Sequence, residues 1–100
     1  MERGGCVYII TNYNNTTLYT GVTSDLQGRI YSHIHGLSPN SFSKKYKLYK
    51  LVYYNVFSTI EDAIAEEKRI KAGSRSKKEA LINALNPTWS DLYETEVKHW

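Results

Sequence analysis

The sequence holds a single cysteine, Cys6, and that scarcity excludes an internal disulfide and a multi-cysteine zinc site. It has no apolar run near the ~20 residues that a membrane-spanning helix requires. The opening residues, Met1-Glu2-Arg3-Gly4-Gly5, lack the apolar stretch of a secretory signal. Internal repeats and low-complexity segments are lacking too. No Walker or dinucleotide pattern follows Gly4-Gly5. No serine-centred elbow or Cys-His arrangement occurs, and the 3 histidines lack zinc-site spacing. A reducing, cytoplasmic setting is the default these absences leave. At 100 residues the chain is expected to form one domain over 1–100, with a core of about 5–92 and a short tail over 93–100.

Acidic residues are missing from two segments, and this shapes the charge more than the net +3 does. Segment 43–50 carries Lys44, Lys45, Lys47 and Lys50. Segment 68–78 carries Lys68, Arg69, Lys71, Arg75, Lys77 and Lys78. The acids gather in 61–67 and in the tail, at Asp91, Glu94 and Glu96. Two basic clusters on so small a domain suit a polyanion, and they suit a solvated surface equally well. Tyr46, Tyr49, Tyr53 and Tyr54 interleave with the first cluster, as rings do where bases stack and lysines meet phosphates.

Residues 6–11 are β-branched and aromatic, so a strand is expected there. Asn12 to Thr16 reads as a turn and 17–22 as the returning strand. With the tip at Asn12–Asn15, Tyr8 and Tyr19 lie opposite or nearly opposite each other on one face. Ser24-Asp25-Leu26-Gln27 has the pattern of a helix capping box, and Leu26, Ile30, Ile34 and Leu37 form an apolar stripe behind it. Arg29 and His33, four residues apart, share one face of that helix. A loop over 36–47 leads to a third strand, Leu48 to Phe57. Capping boxes at Ser58-Thr59-Ile60-Glu61 and Ser76-Lys77-Lys78-Glu79 open two further helices. The second of these starts at about Ser74 or Ser76 and ends before Asn86-Pro87.

The helix after Ser58 contains an anomaly. At ~100° per residue, Glu67 falls within the apolar face defined by Ile60, Ala63, Ile64 and Ile70, and Glu66 falls further toward solvent. A carboxylate aimed at a core is costly unless it binds a cation or pairs with a base such as Lys71 or Arg69. Two tyrosines on a hairpin, an Arg and a His on the next helix and an inward Glu on a later one suit phosphodiester hydrolysis. The Glu would hold a hard divalent cation, the guanidinium would meet phosphoryl charge, and a phenol would take a proton from water. Each residue also has a plain alternative. Tyrosines pack in strands, Arg29 makes surface ion pairs, and Cys6 is a small core hydrophobe.

Cys6-Val7-Tyr8, ten residues, then Tyr19-Thr20-Gly21 resembles the paired motif of the GIY-YIG nuclease superfamily. Thr23-Ser24-Asp25-Leu26, Arg29 and His33 are similar to its next block. Ala65 to Lys71, Ser74 to Ile82, Asn86-Pro87, Trp89 and Asp91-Leu92 resemble its small single-domain bacterial branch. Cys6, Val7 and Thr20 depart from the motif's glycine and isoleucines. The resemblance implies an α/β (α+β) domain, a three-stranded antiparallel sheet flanked by helices in the order β-β-α-β-α-α. It implies endonuclease-type hydrolysis of DNA with bound Mg2+ or Mn2+. Carried across, Tyr8, Tyr19, Arg29 and His33 match catalytic positions, Glu67 the metal ligand and Asn86 a supporting asparagine. Lys44, Lys45, Lys47, Arg75, Lys77 and Lys78 are the candidate nucleic-acid contacts. The second expectation is a binding module that keeps this fold without catalysis.

Overall fold

The computed structural model describes residues 4–37 and 45–100. The expected loop over 36–47 therefore lies largely outside the described residues, and Lys44 lies wholly outside them. The elements are β1 (Gly5–Thr11), β2 (Leu18–Thr23), α1 (Leu26–Ile34), β3 (Lys50–Phe57), α2 (Ile60–Ala72), α3 (Arg75–Leu85), α4 (Leu92–Thr95) and a 3-10 turn (Val97–His99). The strands form an antiparallel sheet in the order β2-β1-β3, the expected fold, to which α4 and the 3-10 turn are additions.

β1 is the central strand, and all its residues are buried. Its alternation sends Cys6, Tyr8 and Ile10 to one face, where Leu26 and Ile30 of α1 and Leu51 of β3 cover them. Val7 and Ile9 meet Ile70 of α2 and Ile82 of α3 on the other face. Burial on both sides is why β1 reads as an unbroken apolar run rather than an alternating one. A bulge shifts the β1–β3 register between Ile9 and Ile10, so both Val52 and Tyr53 join the second layer. Burial also pushes the Cys6 thiol up to about 12, which keeps it an inert core group as expected.

Gly5 sets how closely α2 approaches the sheet. A Cβ there would stand 2.6 Å from the Ala63 Cβ and 2.9 Å from the Ile60 Cα, so a side chain would push the helix off β1. Two helices start one residue after the expected caps: Asp25 and Thr59 accept from the backbone N–H groups of Gly28 and Asp62, where Ser24 and Ser58 were expected. Ser74, one of the two expected starts of α3, accepts from the N–H of Lys77. Neighbouring Ser, Thr and Asp residues are near-equivalent caps, so composition alone does not choose among them. Two residues of the expected apolar stripes are not covered. Leu37 lies beyond α1 and is exposed, and Ile64 is exposed on α2.

The C-terminal segment packs onto the sheet. Leu92, Tyr93 and Val97 are buried against the Tyr8 side of the sheet. The Asp91 carboxylate accepts from the backbone of Leu51 and of Tyr93, both at 3.1 Å. The Gln27 amide donates to the carbonyls of Val97, Lys98 and Trp100 at 3.1–3.3 Å. Tyr54 donates to the Glu96 carboxylate at 2.6 Å. Helices this short carry no periodic signal, which is why the pattern of residues does not announce them. Deleting residues 93–100 is expected to cost roughly 3–6 kcal/mol, from burial of Tyr93 and Val97 at about 1.5–3 kcal/mol each. Urea unfolding of the truncated and full chains measures it.

Candidate active site

The hairpin places the two tyrosines. Asn12 holds the turn, its side-chain oxygen accepting from the backbone of Thr16 at 2.9 Å and of Thr17 at 3.1 Å. Asn15 takes the left-handed conformation that asparagine tolerates, at φ 58°. The turn thus runs to Thr17, and Thr11 pairs with Leu18. In this register Tyr8 faces Gly21, and Tyr19 faces Ile10. The phenols are diagonal neighbours on one face rather than directly opposite.

Gly21 makes room for Tyr8. A Cβ at Gly21 would fall inside contact distance of the Tyr8 hydroxyl and of the Tyr8 ring carbons Cζ and Cε1. The Tyr8 side chain lies across the glycine, fully buried, with its hydroxyl 3.2 Å from Nε2 of His33. The His33 ring stands 6.0 Å from the Tyr8 ring and 6.1 Å from the Tyr19 ring, between the two. One turn earlier on α1, Arg29 is exposed at the rim. It also lines a shallow depression of about 370 Å3 with Thr23, Ser24, Asp25, Gly28 and Ser32. Its guanidinium still reaches Tyr8 by charge and hydrogen bonding.

Glu67 comes from α2, which packs against β1 and β2. Its side chain is 15% exposed and Glu66 is 18% exposed, so the expected contrast between them is not found. Glu66 is instead held by a two-pronged ion pair to Arg69, with both N–O distances 2.6 Å. Glu67 pairs with Lys71 at 3.2 Å, and the Lys71 ammonium sits 5.9 Å from the Tyr19 ring centre. The acid is therefore lysine-paired, but beside the rings.

The charges of this cluster meet at Tyr8. Burial pushes its phenol up to about 12, Arg29 pulls against that rise, and Tyr19 and Glu67 add to it. Tyr19, Arg29 and Glu67 thus all influence the Tyr8 hydroxyl. His33 is held below its ordinary value of 6.5, chiefly by burial and then by the Arg29 charge. Its Nδ1 is buried and has no hydrogen-bond partner among the described residues. His33 is accordingly neutral at pH 7.

The other expected residues lie elsewhere. Asn86 caps α3 and is buried, donating to the carbonyls of Val52 at 3.2 Å and Ser90 at 2.8 Å. Its side-chain oxygen accepts from the Ser90 backbone and hydroxyl, so it supports the scaffold rather than touching the tyrosines. Arg75 donates to the carbonyls of Thr16 at 2.9 Å and Asn15 at 2.7 Å and pairs with Glu79 at 2.8 Å, which staples α3 to the hairpin turn. Lys78 donates to the Gly73 carbonyl at 3.1 Å. Lys45, Lys47 and Lys77 are exposed. Lys71 is the base that the sequence offered as a partner for Glu67, whereas the part of Gly21 was not foreseen. The signal for Gly21 was its place closing the second tyrosine motif.

A buried tyrosine thus lies folded over a cross-strand glycine, with a second tyrosine, an arginine and a glutamate around it. The chain belongs to the GIY-YIG catalytic domain family, matching it over residues 4–80. It is 35% identical over 77 residues to a UPF0213 protein of Staphylococcus saprophyticus, covering 77% of this chain and 92% of that protein. It is 28% identical over 85 residues to a UPF0213 protein of Bacillus pumilus, covering 85% and 86%. The solution NMR structure of the UPF0213 protein BH0048 from Bacillus halodurans superposes with a TM-score of 0.53 at 26% identity, covering 92% of this chain and 96% of that one.

Proposed function

We propose that this domain hydrolyses DNA phosphodiester bonds with one divalent cation, Mg2+ or Mn2+, held by Glu67. The observation that carries the reading is that His33 lies 3.2 Å from the Tyr8 hydroxyl, within reach of the charges of Arg29, Tyr19 and Glu67. The donor set fits a hard cation. Among the described residues no group of 3 or more His, Cys, Asp or Glu side chains converges, which excludes a zinc cage built from them. A single carboxylate suits an ion that keeps its waters and shares substrate phosphate. Bound there, such a cation supplies Lewis-acid stabilisation of the phosphoryl oxygens.

The protein's own groups account for the proton. A phenol pushed up to about 12 is a poor base unless its proton has a destination. His33 offers one, as a neutral ring with Nε2 at 3.2 Å. Water gives its proton to the Tyr8 oxygen while the Tyr8 proton passes to His33. The hydroxide oxygen bonds to phosphorus, the bond to the leaving oxygen breaks, and solvent protonates that oxygen. A cation held by Glu67 would offset the carboxylate's adverse effect on a Tyr8 phenolate. Arg29 faces the phosphoryl charge that develops. Exposed Lys45, Lys47 and Lys77 are the candidate backbone contacts.

Two results test this. Supercoiled plasmid should be nicked with Mg2+ or Mn2+ and left intact with EDTA; intact plasmid under every metal condition contradicts catalysis. The rate should also fall on acidification, because the base must be neutral. His33 sits below 6.5, so the acidic limb should lie below pH 6.5. A limb above that value would remove His33 as the acceptor. The Glu67–Lys71 pair favours a second reading, a module that only binds DNA. That module would show salt-dependent binding without nicking, unchanged in Glu67→Gln.

A further inference from the structure

We propose that Lys71 is a resident counter-cation that competes with the divalent metal for Glu67 and thereby sets the metal affinity of the site. The inference rests on the reading of Glu67 as metal ligand. Lys71 lies in the last turn of α2, four residues after Glu67. A Glu that precedes Lys by four residues is the favourable order, and the helix dipole favours a cation at that end. The pair is therefore built into the helix, with the ammonium 3.2 Å from the Glu67 oxygen. The neighbouring cations are turned to other partners. Arg69 is bound to Glu66, and Arg29 acts on Tyr8.

A divalent ion on Glu67 must share that carboxylate with the ammonium or drive it away. Lys71 has somewhere to go, because its side chain is 50% exposed while that of Glu67 is 15% exposed. Its flexible stem lets the ammonium swing to solvent while the carboxylate stays in place beside Tyr19. Lys71 also spares the folded chain a half-buried unpaired carboxylate when no metal is bound. It acts on the metal through Glu67, as a positioning residue.

The test is a Mn2+ titration at fixed ionic strength, followed by heat or water-proton relaxation, on wild type, Lys71→Met, Lys71→Arg and Glu67→Gln. Lys71→Met should bind Mn2+ roughly five- to tenfold more tightly, since it loses an exposed ion pair and a like charge beside the metal. Lys71→Arg should return the affinity to near the wild-type value. Equal or weaker binding by Lys71→Met, with wild type binding measurably, overturns the proposal. Absence of binding in both, or undiminished binding by Glu67→Gln, overturns the Glu67 site itself and the competition with it. Matching thermal melting curves establish that each variant is folded.

Discussion

Gly21→Ala is expected to slow DNA cleavage by about 100-fold while leaving the chain folded. The added methyl group falls on the Tyr8 hydroxyl and ring, because Gly21 is the direct cross-strand partner of Tyr8. Tyr8 is fully buried, so its ring has no open space to retreat into. Overpacking of this kind costs about 1–3 kcal/mol of stability. The larger consequence is positional, since a reacting group displaced by ~1 Å loses about 100-fold in rate. Adding Tyr8→Phe to Gly21→Ala should lower the rate little further, because both changes disable one hydroxyl. Full additivity in that double-mutant cycle would mean that the glycine acts on something other than Tyr8.

Glu67→Gln should be more severe. It keeps the shape and removes the charge that would hold the proposed cation. Loss of Lewis-acid stabilisation worth several kcal/mol corresponds to roughly 1000-fold or more in rate. Stability should barely change, since the partially exposed pair with Lys71 contributes at most about 1 kcal/mol. DNA binding should persist as well, because Lys45, Lys47 and Lys77 are untouched. Single-turnover cleavage and filter binding on the same preparations separate the two effects.

The register of the hairpin shows how far local pattern reaches. With the turn centred on Asn12–Asn15, Tyr8 and Tyr19 would be exact partners. Side-chain bonds from Asn12 to Thr16 and Thr17 move the centre one residue later. That displaces each partner by two positions, which preserves the face and changes the neighbour. The shared face of the tyrosines was therefore legible, while the Tyr8–Gly21 contact was not. Arg29 and His33 were placed together by their spacing alone, but that spacing could not tell that one is exposed and the other buried. The wheel put Glu67 on an inward face and missed Glu66, whose cover comes with its bond to Arg69. The C-terminal segment was illegible because its order comes from contacts far along the chain. Gln27 and Tyr54 hold it in place.

Arg75 illustrates a different limit. A basic run invites assignment to phosphate, yet this guanidinium is spent on two carbonyls of the hairpin turn and on Glu79. Composition counts charges without saying which are already committed. The same holds for Lys78 and its bond to Gly73. The exposed lysines beside them remain the better candidates for nucleic acid.

Where a divalent cation settles on the folded chain can be observed without any turnover. Mn2+ added to 15N-labelled protein should broaden resonances of Glu67, Lys71, Tyr19 and Tyr8 first, and Glu67→Gln should abolish that pattern. Broadening centred instead on the acidic tail at Asp91, Glu94 and Glu96, or spread evenly over the surface, would contradict a metal site beside the hairpin phenols.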